Sequence, residues 1–178
     1  APVVSGDPVR PDLERGLDEA GAPRPPSARW LLGTDALGRD QWARLAHGAR
    51  RSLVVVGAAT ALAVLVGVAV GLAAGLRGGA TDALAMGAVD VALAVPGLLV
   101  AALAAAAALA AGVDGDVALI ATLAALGWPA IARVLRAEVQ VVRRADYVEA
   151  ARALGASPRR VVIHHVLPAI AELVVALA

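Results

Sequence analysis

The chain reads as an all-α, polytopic transmembrane helical bundle. Leu53 to Leu76 is a run of 24 residues without a charge. As a helix rising about 1.5 Å per residue it is ~36 Å long, against a hydrocarbon core of about 30 Å. Hydrophobic residues make up 60% of the chain and aromatic residues only 2%. A soluble core of this size would use more aromatic bulk, whereas small residues throughout suit helices whose backbones approach closely inside a bilayer.

Residues 1–49 form a polar segment, expected outside the cytoplasm, and 50–178 a membrane domain. Ala22-Pro23-Arg24-Pro25-Pro26-Ser27 reads as an extended connector. Thr34-Asp35 is expected to cap a short helix running through Asp40, Gln41 and Leu45. Trp30 and Trp42 are either interface anchors or ordinary packing residues.

The first span, Leu53–Leu76, carries Gly67, Gly71 and Gly75 at every fourth position. This smooth stripe permits close helix contact, though chance spacing in a Gly-rich chain is the alternative. Arg77-Gly78-Gly79 ends it. A second span runs from Ala83 to about Val113, interrupted by Asp90, and Pro96 is expected to bend it by removing a backbone hydrogen bond. Asp114-Gly115-Asp116 forms a turn, and a third span covers about Val117 to Ala132. The stretch Arg133–Arg160 is strongly basic, with a cytoplasmic loop expected at about 136–160. A fourth apolar segment starts near Val161. Both ends read as cut: the chain starts at Ala1 and stops at Ala178 inside apolar sequence.

Loop charge sets the orientation. Seven Arg between 133 and 160 place that loop in the cytoplasm by the positive-inside rule. Counting back puts Asp114–Asp116 outside, Arg77 inside and residues 1–49 outside. Arg44, Arg50 and Arg51 disagree with this parity, and the longer loop outweighs them.

Several functions are disfavoured. The chain has no Cys, hence no disulfide or thiolate metal site. It has no Lys, all sixteen basic residues being Arg, and so no P-loop or Schiff-base lysine. Its net charge of +1 makes no case for nucleic acid. His164 and His165, adjacent on a helix, point about 100° apart and would not readily chelate one ion. Ser5, Ser27, Ser52 and Ser157 show no nucleophile-elbow pattern. A membrane-embedded enzyme built on Asp90 or on His164/His165 is the alternative reading; a membrane scaffold is a third.

The most informative segment is Asp146-Tyr147-Val148-Glu149-Ala150-Ala151-Arg152-Ala153-Leu154-Gly155-Ala156-Ser157-Pro158. Asp146 is expected to cap a helix, with Glu149 reaching back to the cap's backbone N–H. Gly155 sits where that helix ends, free to adopt a positive φ. Ser157 then caps a second helix with Pro158 in its first turn. A solitary two-turn helix is too short to be stable in water. With Ala150 and Ala151 giving low relief and Glu149 and Arg152 charged edges, it has the shape of a plug for a partner's groove.

Glu149-Ala150-Ala151, then Gly155, then nine residues before His165-Val166-Leu167-Pro168, resembles the EAA loop of ABC importer permeases. Gly33-Thr34-Asp35-Ala36-Leu37-Gly38-Arg39-Asp40 with Gly48-Ala49-Arg50-Arg51-Ser52-Leu53 is similar to the segment before the second transmembrane helix of the dipeptide and oligopeptide branch. Val89-Asp90 through Val95-Pro96-Gly97-Leu98-Leu99 looks like that branch's third helix. The resemblance runs from about Trp30 onward. It departs from the family at Met86 and Gly87, where an Arg is often found. His164-His165 also stands where branched aliphatics are usual, although a His at the second position is not unusual in the peptide branch.

The resemblance implies a type I importer permease fold, truncated by its first span and from within its fifth. It implies a multi-pass subunit of the bacterial inner membrane, embedded in lipid. Its expected partners are a second homologous permease, two cytoplasmic ATPase subunits and an extracytoplasmic substrate-binding protein. The chain would bind no cofactor itself; ATP and Mg would be used by the ATPases. Asp146, Tyr147, Glu149, Ala150, Ala151, Arg152, Gly155, Leu167 and Pro168 would couple to the ATPase. Asp90 is either on the substrate path or reaches interfacial water, and Pro96 is a second candidate for the path. Di- and oligopeptides are the expected substrate class.

Overall fold

A computed structural model describes residues 9–177. It divides into two compact units, one running to Val54 and the other starting at Val55.

The first unit is mostly turns, held by a few polar contacts. Thr34 is buried; its hydroxyl donates to the Gly16 carbonyl at 2.5 Å and accepts from the Arg24 N–H at 2.8 Å. Asp35 accepts from the backbone N–H groups of Leu37 and Arg39, and from Nε of Arg39 at 2.8 Å. Arg44 also pairs with Asp35. The Arg39 side-chain hydrogen bond, joined by those backbone donors, holds the Asp35 carboxyl well below the usual carboxylate range. Trp30 lies under two guanidiniums, Arg24 at 5.7 Å and Arg29 at 4.8 Å from its ring centre.

Thr34-Asp35 does not cap a helix. Thr34 instead bridges to Asp40 across a tight turn. Asp40 is the cap: its Oδ1 accepts from the Trp42 N–H at 2.9 Å. The helix that follows is not short. α1 runs from Gln41 to Arg77, 37 residues, with the uncharged run forming its last two thirds.

In the second unit, α2 (Gly79–Ala94) and α3 (Gly97–Ala111) replace the single second span expected from the sequence, and they diverge by 85°. Pro96 sits at the break, and Val95 before it is extended at φ −83°, ψ 128°. A proline disfavours the helical conformation in its predecessor, and here Val95 is extended, so a break rather than a bend results. α4 (Gly115–Arg143) is capped by Asp114, whose Oδ1 accepts from the Asp116 and Val117 N–H groups. It continues as helix beyond Ala132, where a loop was expected to begin. α5 (Asp146–Ala153), α6 (Pro158–Val161), a π-helical turn (Val162–Val166) and α7 (Leu167–Leu177) complete the chain.

α1, α4 and the continuous helix Pro158–Leu177 are long and apolar enough to cross a membrane; α2 and α3 together make a broken span. In lipid every backbone polar group must be met internally, which helices achieve.

α4 is the hub, packing against α2, α3, α5 and α7. Against α1 the glycine stripe is used directly. A Cβ on Gly67 would lie 2.7 Å from Ile131, one on Gly71 2.8 Å from the Ala132 carbonyl, and one on Gly75 2.7 Å from Val139. The core beside this seam holds Leu135, Val139, Val142, Val148, Val161, Val166 and Ile170.

Candidate functional site

Arg144 and Ala145 are the whole connection between α4 and α5. Ala145 is extended (φ −68°, ψ 141°) and occupies the cap position without a side-chain bond. Asp146 is therefore the first helical residue and not the cap, and the expected reciprocal capping with Glu149 is absent. The Ala145 carbonyl accepts from Val148 N–H at 2.9 Å and Glu149 N–H at 3.1 Å. Asp146 and Glu149 still stand in the first turn, where negative charge meets the positive end of the helix dipole.

The other end is as the sequence requires. Gly155 has φ +85°. Its N–H donates to the Arg152 carbonyl at 2.9 Å, and Ala156 N–H to the Ala151 carbonyl at 3.0 Å. This is the paired Schellman closure, which needs a left-handed residue at the turn. A Cβ on Gly155 would meet nothing within 4 Å, so its conformation alone calls for glycine. Ser157 accepts from the Arg160 N–H, and Pro158 opens α6.

What holds so short a helix is Val148, which is completely buried among Leu135, Val142, Val161 and Val166. Sequence reasoning passed over this residue; the only signal was an apolar side chain in a polar segment. Tyr147 adds a second tie, its ring centre 6.0 Å from that of His165 at a 54° tilt. With Val148 turned inward, Asp146, Glu149, Ala150, Arg152 and Leu154 are left exposed, and Leu154 is 89% exposed.

Leu167 and Pro168 lie apart from this face, at the junction of the π turn with α7. Leu167 N–H donates to the Val162 carbonyl, five residues back. Pro168 has no N–H to continue the ladder and its ring crowds the carbonyl four residues earlier, consistent with a widened turn just before it. They approach α5 through this turn, which supplies His165 to Tyr147 and Val166 to the core around Val148.

Asp90 and Pro96 are elsewhere, on α2 and at its end. Asp90 finds its cation across helices in Arg133 of α4, and the carboxylate side chain remains 69% exposed. Nearer the Arg77 end, Asp82 accepts from Nε of Arg136 at 2.8 Å, with a second bond from the same guanidinium. Neither Asp82 nor its partner stood out in the sequence, because the pair is 54 residues apart. At the helix ends Arg143 donates to the Gly75 carbonyl at 2.6 Å, tying α4 to the last turn of α1. His164 Nδ1 lies 3.2 Å from the Arg160 carbonyl, whereas His165 turns to Tyr147. The two imidazoles do not converge, and among the described residues no group of acids and histidines could hold a metal.

Comparison with known proteins agrees with this architecture. Residues 67–178 match the family described as "Binding-protein-dependent transport system inner membrane component". The chain is 36% identical over 147 residues to the oligopeptide transport system permease protein OppC of Bacillus subtilis, covering 83% of this chain and 47% of that one. It is 37% identical over 170 residues to a Brucella suis protein whose name describes a peptide transport system permease, covering 93% of this chain and 56% of that one. The chain thus spans about half the length of these curated relatives. The family match covers the helices that carry the glycine seam, the broken span and the short α5, that is, the second unit from residue 67 onward. The chain belongs to the family of binding-protein-dependent transport system inner membrane components.

Proposed function

We propose that this chain is part of the permease subunit of an ATP-driven importer, moving di- or oligopeptides along a path shared with a second homologous permease. An extracytoplasmic binding protein delivers substrate, and two cytoplasmic ATPase subunits use ATP and Mg. In this reading residues 1–49 face outward, 50–178 belong to the permease domain of the bacterial inner membrane, and about 136–160 couple it to the ATPase. The chain itself hydrolyses nothing.

One observation carries the reading: α5 is a two-turn helix fixed by the buried Val148 and closed at Gly155, with Glu149, Ala150 and Arg152 exposed. A helix that short, tethered at its base, moves with α4 and α7 rather than by itself. An ATPase groove that holds its exposed face can therefore bias an inward-open against an outward-open arrangement. Asp146 adds to this exposed face, Ala151 is half-buried at its edge, and Tyr147, with the turn that precedes Leu167 and Pro168, anchors the helix. The exposed Asp90–Arg133 pair and the break at Pro96 are assigned to the substrate path. No observation favours a membrane enzyme, since Asp90 is paired and the two histidines diverge.

The test is Gly155→Val. A β-branched residue at φ +85° is strained by roughly 1–2 kcal/mol, so the turn is expected to refold and tilt α5 from its seat. Uptake should fall while ATP hydrolysis persists and membrane insertion is normal. Gly155→Asn, which tolerates that conformation, should retain coupled transport. Full substrate-stimulated hydrolysis and uptake in Gly155→Val would overturn the assignment.

A further inference from the structure

Two cavities meet where α1 and α4 end. One, of about 470 Å³, is lined by Gly75, Asp82, Arg136, Arg143, Arg144, Glu149 and Arg152, among others. The other, of about 300 Å³, is lined chiefly by apolar groups, including Leu76, Val161, Val162 and Val166, and shares Arg143 and Arg152 with the first.

The charge in the first cavity is not balanced from within. Four guanidiniums face two carboxylates. Asp82 is already committed to Arg136. Arg143 and Arg152 bond to uncharged carbonyls, those of Gly75 and Arg143. The Arg144 side chain has no partner among the described residues. With Glu149 the one carboxylate left against three guanidiniums, the recess is net cationic, and planar guanidinium N–H groups match the oxygens of a phosphate.

Depth and shape narrow the source of that phosphate. The recess lies at the level where the uncharged run of α1 ends at Leu76 and Arg77 begins, which is the headgroup level of a bilayer crossed by α1. The adjoining apolar slot is of no use to inorganic phosphate or to an acidic protein surface. It would take up the glycerol stem and first methylenes of a lipid.

We propose that this pair of cavities binds an anionic phospholipid, its phosphate held by Arg143, Arg144 and Arg152 and its stem laid along Leu76 and Val162. The lipid would lie directly behind α5.

The test uses the full-length permease in nanodiscs containing both phosphatidylglycerol and phosphatidylcholine, with lipid retained after extraction measured by native mass spectrometry. Preferential retention of phosphatidylglycerol is expected. Arg144→Gln should lower it about fivefold, the loss expected for one guanidinium near an anionic surface, while Arg144→Lys should retain most of it. Val162→Trp, which fills the apolar slot, should also lower it, and soluble glycerol phosphate should not displace the lipid. Equal retention of both lipids, or no effect of Arg144→Gln, would overturn the proposal. Displacement by glycerol phosphate would overturn it in favour of a free-phosphate site. Protection of Arg144 from dicarbonyl modification only when the ATPase is bound would overturn it in favour of a protein contact.

Discussion

The Tyr147 ring of α5 rests against the His165 ring of the π turn, 6.0 Å between centres. This contact joins the two-turn α5 to the point where the last span changes pitch. Together with Val148 in the core, it means that α5 cannot shift without moving the base of α7 or breaking its own packing.

The glycine stripe gives the cleanest stability prediction. Gly71→Ala places a Cβ 2.8 Å from the Ala132 carbonyl, a backbone atom that cannot rotate away. The expected cost is about 1–3 kcal/mol, as for other overpacked contacts. Gly57→Ala, on the same helix with nothing within 4 Å of its Cβ, should be neutral or slightly stabilising. Unfolding of the two variants in detergent, titrated side by side, checks the difference.

Asp82 and Arg136 should be strongly coupled. They are 15% and 32% exposed, so removing one partner leaves the other charge poorly solvated. Asp82→Asn and Arg136→Gln are each expected to cost about 1–3 kcal/mol. The double variant should cost clearly less than the sum, a signature of direct interaction. Additive losses would mean that the bidentate pair contributes nothing as a pair.

These long-range contacts mark the limit of what one sequence reveals. Gly155 and Ser157-Pro158 were legible because a positive φ and a helix start are local backbone chemistry. The glycine stripe was legible as a surface, and the structure supplies its partner, the Ile131–Val139 face of α4. Arg133 and Arg136 looked like loop charges because their acids, Asp90 and Asp82, lie on another helix. Once paired, they let α4 continue to Arg143. That continuation leaves only Arg144 and Ala145 as a linker, so Ala145 takes the cap position that the Asp146–Glu149 spacing had seemed to give to Asp146. Val148 was overlooked for a similar reason: its importance lies in which residues surround it.

The first unit should respond to acid through Asp35. Its carboxyl is held below the usual range, chiefly by the Arg39 side chain. A group whose pKa is depressed on folding contributes stability that is present above its unfolded pKa, about 3.9, and lost as pH falls toward the folded value. The fluorescence of Trp30 and Trp42, in a Trp128→Phe background, should therefore report an unfolding step that sets in only below about pH 4. Asp35→Asn should weaken the unit at neutral pH and remove Asp35's share of that acid dependence.

The most direct measurement is disulfide crosslinking from Ala150→Cys, because this stretch contains no Cys of its own. In the assembled importer, single cysteines along the groove of the cytoplasmic ATPase should crosslink to position 150, with a yield that changes on nucleotide binding. Leu109→Cys, at the far end of α3, should not. Absence of any crosslink from position 150 in a complex that transports normally, or equal crosslinking from position 109, would contradict the assignment of α5 as the link between membrane and motor.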